Sequence, residues 1–188
     1  DHRLQSEASE PVYFVHHEGD ADARLSNHFA QLTGDAPAMP TLLSVEQRAI
    51  RCKGNQDGTA WFEFSDLCDG PRSQNDYIYL ARSCHTVLIS NIPALGGGTQ
   101  EQTLARGTED VASNPTGNRQ VFNDDRSRRF ISLIDELYDH SVNIAASFET
   151  AIHTLYQGGH LQFEFQRTFS RLVEMQSLEY QRQQHRPD

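Results

Sequence analysis

The sequence has few cysteines, no long apolar run and a shortage of basic residues. Its 188 residues carry 26 acidic side chains against 16 Lys and Arg, which gives a formal net charge of −10. Since nucleic acids are bound by basic surfaces, this balance argues against nucleic acid as a main partner. No stretch approaches the ~18 apolar residues of a membrane-spanning helix, so we expect no direct membrane span. The charged residues 1–7 also lack the apolar core of a signal peptide.

The three cysteines, at positions 52, 68 and 84, form no Cys-x-x-Cys pair. Such pairs are typical of zinc sites, and the histidines of the chain show no metal-ligand spacing either. The sequence therefore predicts no metal site. An odd number of cysteines favours reduced thiols in a cytosolic protein over a set of disulfides.

Motifs that carry common enzymatic chemistry are missing as well. No Gly-x-x-x-x-Gly-Lys-Ser/Thr occurs, so the chain has no loop to cradle the β- and γ-phosphates of a nucleotide. The glycines at 96–98 are followed by no Lys-Ser or Lys-Thr pair. Nothing is similar to the nucleophile elbow of serine hydrolases. We therefore predict no catalytic residue in this chain.

The rest of the chain is organised around residues 85–147. Residues 85–90 and 142–147 are short apolar runs, and residues 124–139 between them place apolar side chains at helical spacing. The helix is followed by the second run after only about two residues, as in parallel strands joined by a right-handed crossover. Upstream, residues 45–53 and 59–64 predict an antiparallel hairpin around the turn-forming residues between them. Other predicted elements are a strand at 11–16 and helices at 20–32, 64–68 and 76–82.

Together these segments predict one α/β domain over residues 1–188. Its mixed sheet has parallel central strands, an antiparallel hairpin and flanking helices. Residues 1–40 form a strand–helix extension that is too small to be a separate domain. Five core side chains are predicted to be buried: Trp61, Phe62, Leu88, Ile134 and Ile144.

Residues 96–122 carry little apolar content and are long for a connection. They predict a surface loop insertion, with an arm that contacts a partner as the functional alternative. The chain is then predicted to continue with a short helix at 151–156, a strand at 161–165, a closing helix at 168–180 and a polar tail that frays at 181–188.

Several segments are similar to the C-terminal half of the ZapE-type AAA+ ATPases, a bacterial cell-division ATPase and its mitochondrial counterparts. They are Trp61-Phe-Glu-Phe-Ser-Asp-Leu-Cys68, Gly70-Pro-Arg-Ser-Gln-Asn-Asp-Tyr77, Thr86-Val-Leu-Ile-Ser90, Arg128-Arg-Phe-Ile-Ser-Leu-Ile-Asp-Glu-Leu-Tyr-Asp139 and Phe163-Glu-Phe-Gln-Arg-Thr-Phe-Ser-Arg-Leu-Val-Glu-Met175. The resemblance runs nearly from end to end. The family's phosphate loop lies upstream of this region, so the resemblance implies the C-terminal part of a longer ATPase.

The resemblance also implies cofactors, partners and a location. The full-length protein would hydrolyse ATP with magnesium, whereas this chain alone would hold no cofactor and would be inactive. Its partners would be its own upstream ATPase domain, the tubulin-like ring protein of cell division and further copies in a homo-oligomer. We expect a cytoplasmic protein, with a peripheral position at the inner membrane or division site.

AAA+ ATPases use arginines outside the phosphate loop to sense or stabilise the γ-phosphate, in cis or from a neighbouring subunit. The resemblance therefore makes Arg128, Arg129, Arg167 and Arg171 nucleotide-binding candidates. The alternative is that these arginines pair with carboxylates and serve the structure.

The run Leu-Ile-Asp-Glu-Leu at 133–137 imitates a Walker B strand, whose Asp holds magnesium. Its helical spacing instead predicts a helix with Asp135 and Glu136 on a solvated polar face.

Two classes of function stay open. In the first, the chain is the regulatory and partner-binding domain of the ATPase. In the second, it is a self-contained enzyme or small-ligand-binding domain that uses the crevice near Asn91 and Ser147.

Overall fold

The computed structural model describes residues 11–96 and 115–188, with side chains described through residue 96 and again from residue 123. The strands are β1 (Tyr13–Val15), β2 (Thr41–Val45), β3 (Arg48–Cys52), β4 (Gly54–Gln56), β5 (Thr59–Glu63), β6 (Thr86–Ile92) and β7 (Asn143–Phe148). The α-helices are α1 (Ala21–Leu32), α2 (Phe64–Cys68), α3 (Gln74–Ser83), α4 (Pro115–Asp139), α5 (Gln162–Glu174) and α6 (Leu178–Gln181). Short 3-10 turns occupy His16–Glu18 and Ile152–Thr154.

A mixed sheet in the order β1-β7-β6-β5-β4 forms the centre of the fold. β1, β7, β6 and β5 run parallel, and β4 pairs antiparallel with β5. The parallel pairing of β6 and β7, with Leu88 opposite Ala145, confirms the predicted crossover around α4. The predicted α/β class with a mixed sheet is therefore confirmed.

Alternate residues of the sheet face two apolar layers. On one face, Trp61 and Leu88 pack with Leu25 and Phe29 of α1. On the other face, Phe62 and Ile144 join a larger core that includes residues of α2 to α6. The five predicted core side chains are all buried. Since successive strand residues point to opposite faces, both layers are built from the same three central strands.

The hairpin prediction was correct in type and wrong in its boundaries. Residues 45–53 do not form one strand, because Glu46 and Gln47 turn the chain at φ of 49° and 67° and send β3 back along β2. β2 and β3 form a separate two-stranded sheet. The partner of β5 is β4, which lies within the residues predicted as a turn.

Two glycines explain that error. Gly58, at φ 81°, belongs to the tight turn with Asp57 that joins β4 to β5. Gly54 lies in a strand, and position 54 requires glycine because the ring of Phe29 packs where a side chain would be. A Cβ there would sit 2.7 Å from the Phe29 ring. Gly54 was therefore wrongly predicted to belong to the turn, although packing against Phe29 accounts for it.

The strand predicted at 161–165 is wrong, because these residues enter α5. Phe165 is 5% exposed and Phe163 is 83% exposed, and the buried side chains Leu161, Phe165, Thr168 and Leu172 follow helical spacing. The predicted closing helix at 168–180 is divided into α5 and α6, with a break around residues 175–177.

The C-terminal tail, predicted to fray, is held at several points. The backbone N–H of Arg186 donates to the carbonyl of His140 at 2.8 Å, and Nε2 of His185 lies 2.7 Å from the carbonyl of Ala81. Ser141 Oγ donates to Gln183 Oε1 at 3.2 Å. The first two contacts satisfy backbone carbonyls at the ends of α3 and α4, which a polar tail can reach.

Residues 97–114 of the predicted insertion lie outside the described residues. Residues 115–122 belong to α4, so the loop prediction was wrong there, and Pro115 stands at the helix start, where proline is favoured. Among the helices described, none combines the length and apolarity of a membrane span.

Candidate functional site

An open cleft of about 380 Å³ lies between α4 and α5, beside the start of α3. We call it the arginine cleft and define it by six charged lining residues: Arg128, Asp135, Glu136, Asp139, Arg167 and Arg171. Spacings of three, four or seven residues set side chains on one helix face. The cleft therefore combines Arg128 and Asp135 of α4 with Arg167 and Arg171 of α5.

Asp135 holds both arginines of α5. Its Oδ2 lies 3.1 Å from Nη2 of Arg167, and its Oδ1 pairs with Nη1 of Arg171. The guanidinium of Arg171 also lies over the Tyr138 ring, 4.7 Å from the centroid. Tyr138 in turn donates its hydroxyl hydrogen to Glu174 at 2.7 Å, and this hydrogen bond raises the pKa of Tyr138. Arg171 is thus held by a carboxylate and an aromatic ring, a structural arrangement.

Arg128 and Arg167 are held far less. The side chain of Arg167 is 61% exposed against 21% for Arg171, and among the described residues its one ion pair is with Asp135. Arg128 is exposed at the mouth of the cleft, and the described part of the chain places no carboxylate within 4 Å of its guanidinium. The cleft therefore presents two guanidinium groups that an incoming anion can reach.

Arg129 lies outside the cleft. Its Nη1 donates to the carbonyl of Cys68 at 3.3 Å, at the end of α2. The neighbouring Arg126 pairs with Asp69 at 3.2 Å and covers the Phe64 ring. Burial raises the pKa of Asp69, and the two arginines oppose that rise. The structure thus brings together three of the four predicted arginines and places the fourth against α2.

The Asp-Glu pair at 135 and 136 is helical, as its spacing predicted, so it is not a Walker B strand. Neither residue belongs to a freely solvated face, however, and that part of the prediction was wrong. Asp135 binds the α5 arginines, and Glu136 accepts a hydrogen bond from Nε2 of Gln74 at 2.9 Å. The spacing of Arg167 and Arg171 places both on one helix face, but nothing in the sequence indicated which carboxylate lies opposite.

The second candidate region is the crevice at the carboxyl ends of the parallel strands. A bulge in β6 places Asn91 at φ 63°, and its Nδ2 donates to both carboxylate oxygens of Glu63 at 3.1 and 2.8 Å. Lys53, the single lysine of the sequence, lies 2.6 Å from Glu63 and 3.9 Å from Asp22. These side chains satisfy one another across the crevice.

The two serines beneath that network also form hydrogen bonds within the protein. Ser90 Oγ accepts from Nε1 of Trp61 at 2.8 Å, and Ser147 Oγ accepts from the backbone N–H of Asn91 at 2.8 Å. Both serines are fully buried. Across the described ranges, no group of three His, Cys, Asp or Glu side chains is arranged to hold a metal ion.

Comparison with known proteins decides the family. A family model described as AFG1-like ATPase matches residues 1–106 and 117–184. The chain belongs to the AFG1-like ATPase family. The resemblance to ZapE-type ATPases that the sequence segments carried is thereby confirmed, and the unmatched residues 107–116 lie within the predicted insertion.

Two curated relatives show how much of an AFG1-like ATPase this chain represents. The cell division protein ZapE of Escherichia coli (strain K12) is 31% identical over 185 residues, which cover 98% of the chain and 43% of ZapE. Lactation elevated protein 1 homolog B of Danio rerio is 25% identical over 203 residues, which cover 90% of the chain and 36% of that protein. The chain thus spans less than half the length of the curated relatives it matches. No solved structure matches the chain.

Within the AFG1-like ATPase family, the chemistry available to this chain is that of positioned cations. The sequence has no phosphate-binding loop, and its single lysine is held between Glu63 and Asp22. The arginine cleft is where reachable positive charge collects on the described surface of α4 and α5. A guanidinium can hold two oxygens of a carboxylate or of a phosphate at once, so the cleft can bind an oxyanion of either kind.

Proposed function

We propose that this chain is the C-terminal regulatory and partner-binding part of an AFG1-like ATPase that acts in bacterial cell division. Similarity to ZapE over 98% of the chain supports this proposal. The full-length protein hydrolyses ATP with magnesium, and the phosphate-binding loop that cradles them lies outside this chain. The partners are the rest of the ATPase, the tubulin-like division ring protein and further copies of the same protein. Its location is the cytoplasm, with a peripheral position at the division site.

The observation that carries the proposed role is the exposed guanidinium pair of the arginine cleft. Arg128 comes from α4 and Arg167 from α5, so the two approach a bound group from different helices. In our proposal they contact the γ-phosphate of a nucleotide held by the ATPase domain or by a neighbouring subunit. Positive charge placed there stabilises the negative charge that develops as the phosphoryl group is transferred.

The four predicted arginines take different parts in this proposal. Arg128 and Arg167 bind the phosphate, and Arg171 is a positioning residue that keeps Asp135 in place. Arg129 was also predicted to bind nucleotide, and that prediction stays untested. Its contact with Cys68 favours a structural role for it.

Substitution of Arg128 in the full-length ATPase tests the proposal. Arg128→Ala should lower kcat by about tenfold or more, with the melting temperature unchanged, because the exposed side chain that is removed has no ion pair among the described residues. Arg128→Lys should restore only part of the rate, since an ammonium lacks the planar fork. The matched control is Arg82→Ala, an exposed arginine near the end of α3, which should leave kcat unchanged.

Loss of activity in step with loss of folding would instead assign Arg128 to the structure. A wild-type kcat in Arg128→Ala would overturn the phosphate role. The alternative function, a self-contained enzyme, is tested by ATP turnover of this chain on its own. Hydrolysis by the chain that stops when magnesium is chelated would contradict a regulatory part that lacks its own phosphate loop.

A further inference from the structure

Asp135 occupies the α5 arginines from which the proposed phosphate site is built. One of its carboxylate oxygens faces Arg167 and the other faces Arg171. A phosphate oxygen offers a guanidinium the same contact that a carboxylate oxygen offers. An anion that enters the arginine cleft therefore meets an arginine that already has an anionic partner from its own chain.

We propose that Asp135 is an internal competitor that holds Arg167 away from the phosphate until an anion displaces it. The ligand class is a phosphate-bearing oxyanion, free or part of a nucleotide. The inference rests on the proposed function, because it takes the arginine cleft as a phosphate site. What it adds is a regulatory residue, Asp135, and the exchange by which it acts.

The contacts indicate that Arg167 exchanges and Arg171 stays. Arg167 is the more exposed of the two, so its guanidinium can turn towards solvent at little cost. The exposed fraction of the Arg171 side chain is about a third of that of Arg167. Arg171 also stacks over the ring of Tyr138, which is hydrogen-bonded to Glu174. When Arg167 leaves, Asp135 keeps Arg171, and no buried charge is left without a partner.

The charges of the cleft determine which arginine meets the anion first. The three arginines of the lining are balanced by three acids, Asp135, Glu136 and Asp139, so the cleft as a whole is close to neutral. Arg128 supplies the cation that first attracts the anion, since no described carboxylate neutralises it within 4 Å. Arg167 then completes a two-arginine contact, and the release of its bond to Asp135 lowers the net affinity.

Titration of the chain with inorganic pyrophosphate, followed by isothermal calorimetry, tests this competition. Asp135→Asn should tighten pyrophosphate binding by about tenfold, the value of one freed charge-assisted hydrogen bond. Asp139→Asn is the matched control. It removes the same charge from the same cleft, but Asp139 is in no ion pair with an arginine of the described chain, so we expect less than about a twofold change. The double variant Arg128→Ala with Asp135→Asn should lose the tenfold gain.

Thermal melts guard against misfolding. Asp135→Asn leaves Arg171 without its carboxylate, so its melting temperature should fall in buffer and recover more than that of the wild type as pyrophosphate is added. If the amide variant does not fold, Asp135→Ser provides the same comparison.

Equal pyrophosphate affinity in wild type and Asp135→Asn, including no binding by either, overturns the competition. So does an equal gain in Asp139→Asn. The proposed function has a separate readout, the kcat of full-length Arg128→Ala.

Discussion

The crevice at the strand ends and the arginine cleft are both polar, but they differ in how their charges are matched. In the crevice, Glu63 is bound by Asn91 and Lys53, and Lys53 also faces Asp22. In the cleft, Arg128 has no carboxylate within 4 Å among the described residues, and Arg167 is exposed. The charged groups of the crevice therefore satisfy one another, whereas the cleft has guanidinium groups that a ligand can reach.

This difference is informative because open α/β sheets usually bind ligands at the carboxyl ends of their strands. Here those ends carry Ser90 and Ser147, whose hydroxyls accept bonds from Trp61 and from the backbone of Asn91. A ligand that bound to these two hydroxyls would have to compete with the hydrogen bonds that already satisfy them. The comparison favours the regulatory function over the self-contained enzyme, whose site was expected near Asn91 and Ser147.

The largest expected effect concerns the sheet on which both regions depend. Leu88 of β6 is fully buried against α1, so Leu88→Ala should reduce the free energy of unfolding by about 2–5 kcal/mol. Chemical denaturation of the chain measures it. The control Leu42→Ala removes a side chain that is 65% exposed and should change stability by less than about 0.5 kcal/mol. A loss below about 1 kcal/mol for Leu88→Ala would contradict a packed sheet under the crevice.

Glu63→Ala tests whether the crevice network is structural. It removes the acceptor of Asn91 and the partner of Lys53, so we expect a loss of about 1–2 kcal/mol, since the side chain is 29% exposed. In the full-length ATPase, kcat should stay at the wild-type value. A fall in kcat at unchanged stability would break the contrast between the two regions.

Two adjacent arginines sharpen the comparison within α4. Arg129→Ala removes the bond to the Cys68 carbonyl and should cost about 1 kcal/mol in denaturant melts. Arg128→Ala should cost less than about 0.5 kcal/mol. Equal losses at the two positions would mean that Arg128 has a structural partner.

The smallest effect is one of local opening. Burial raises the pKa of the Cys84 thiol to about 11 and also raises the pKa of Cys68. Since the thiolate is the reactive form, both thiols should be alkylated slowly at pH 8. Arg129→Ala releases the end of α2, which speeds the alkylation of Cys68, but it also raises the pKa of Cys68, which slows it, so we expect a gain of about fivefold at most. Arg128→Ala should leave it unchanged. Mass spectrometry of the alkylated peptides measures both rates, and faster labelling of Cys84 alone would contradict this view of α2.

The parallel core of this fold could be predicted because its signals are repeated along the chain. β6, α4 and β7 each carry several apolar residues in phase, so one misleading position does not change the assignment. Single-residue signals failed. The turn at Glu46 and Gln47 contains none of the glycine or asparagine that usually marks it, and Gly54 reflects the ring of Phe29. In residues 161–165 the alternation misled because an exposed Phe163 stands beside a buried Phe165.

The site was predictable in part for a related reason. Arg128, Arg167 and Arg171 were identified through the family resemblance, and the structure places them in one cleft. Asp135, the partner of Arg167 and Arg171, was missed because it lies far from both in sequence, and pairing across two helices leaves no local pattern. The difference between Arg128 and Arg129 depends on the rotation of α4 against α2, which only tertiary packing determines.

The adjacent position of β6 and β7 has a consequence for how the chain reaches its native state. The two strands are neighbours in the sheet, yet α4 and the residues before it separate them along the sequence. Closing so long a loop is entropically unfavourable, and folds rich in such contacts fold slowly. The β4–β5 hairpin closes through a two-residue turn and can form early, whereas β6 must wait for β7 to be synthesised. Until then the apolar residues 87–89 of β6 form an open edge, and the nascent chain is exposed to aggregation at that strand.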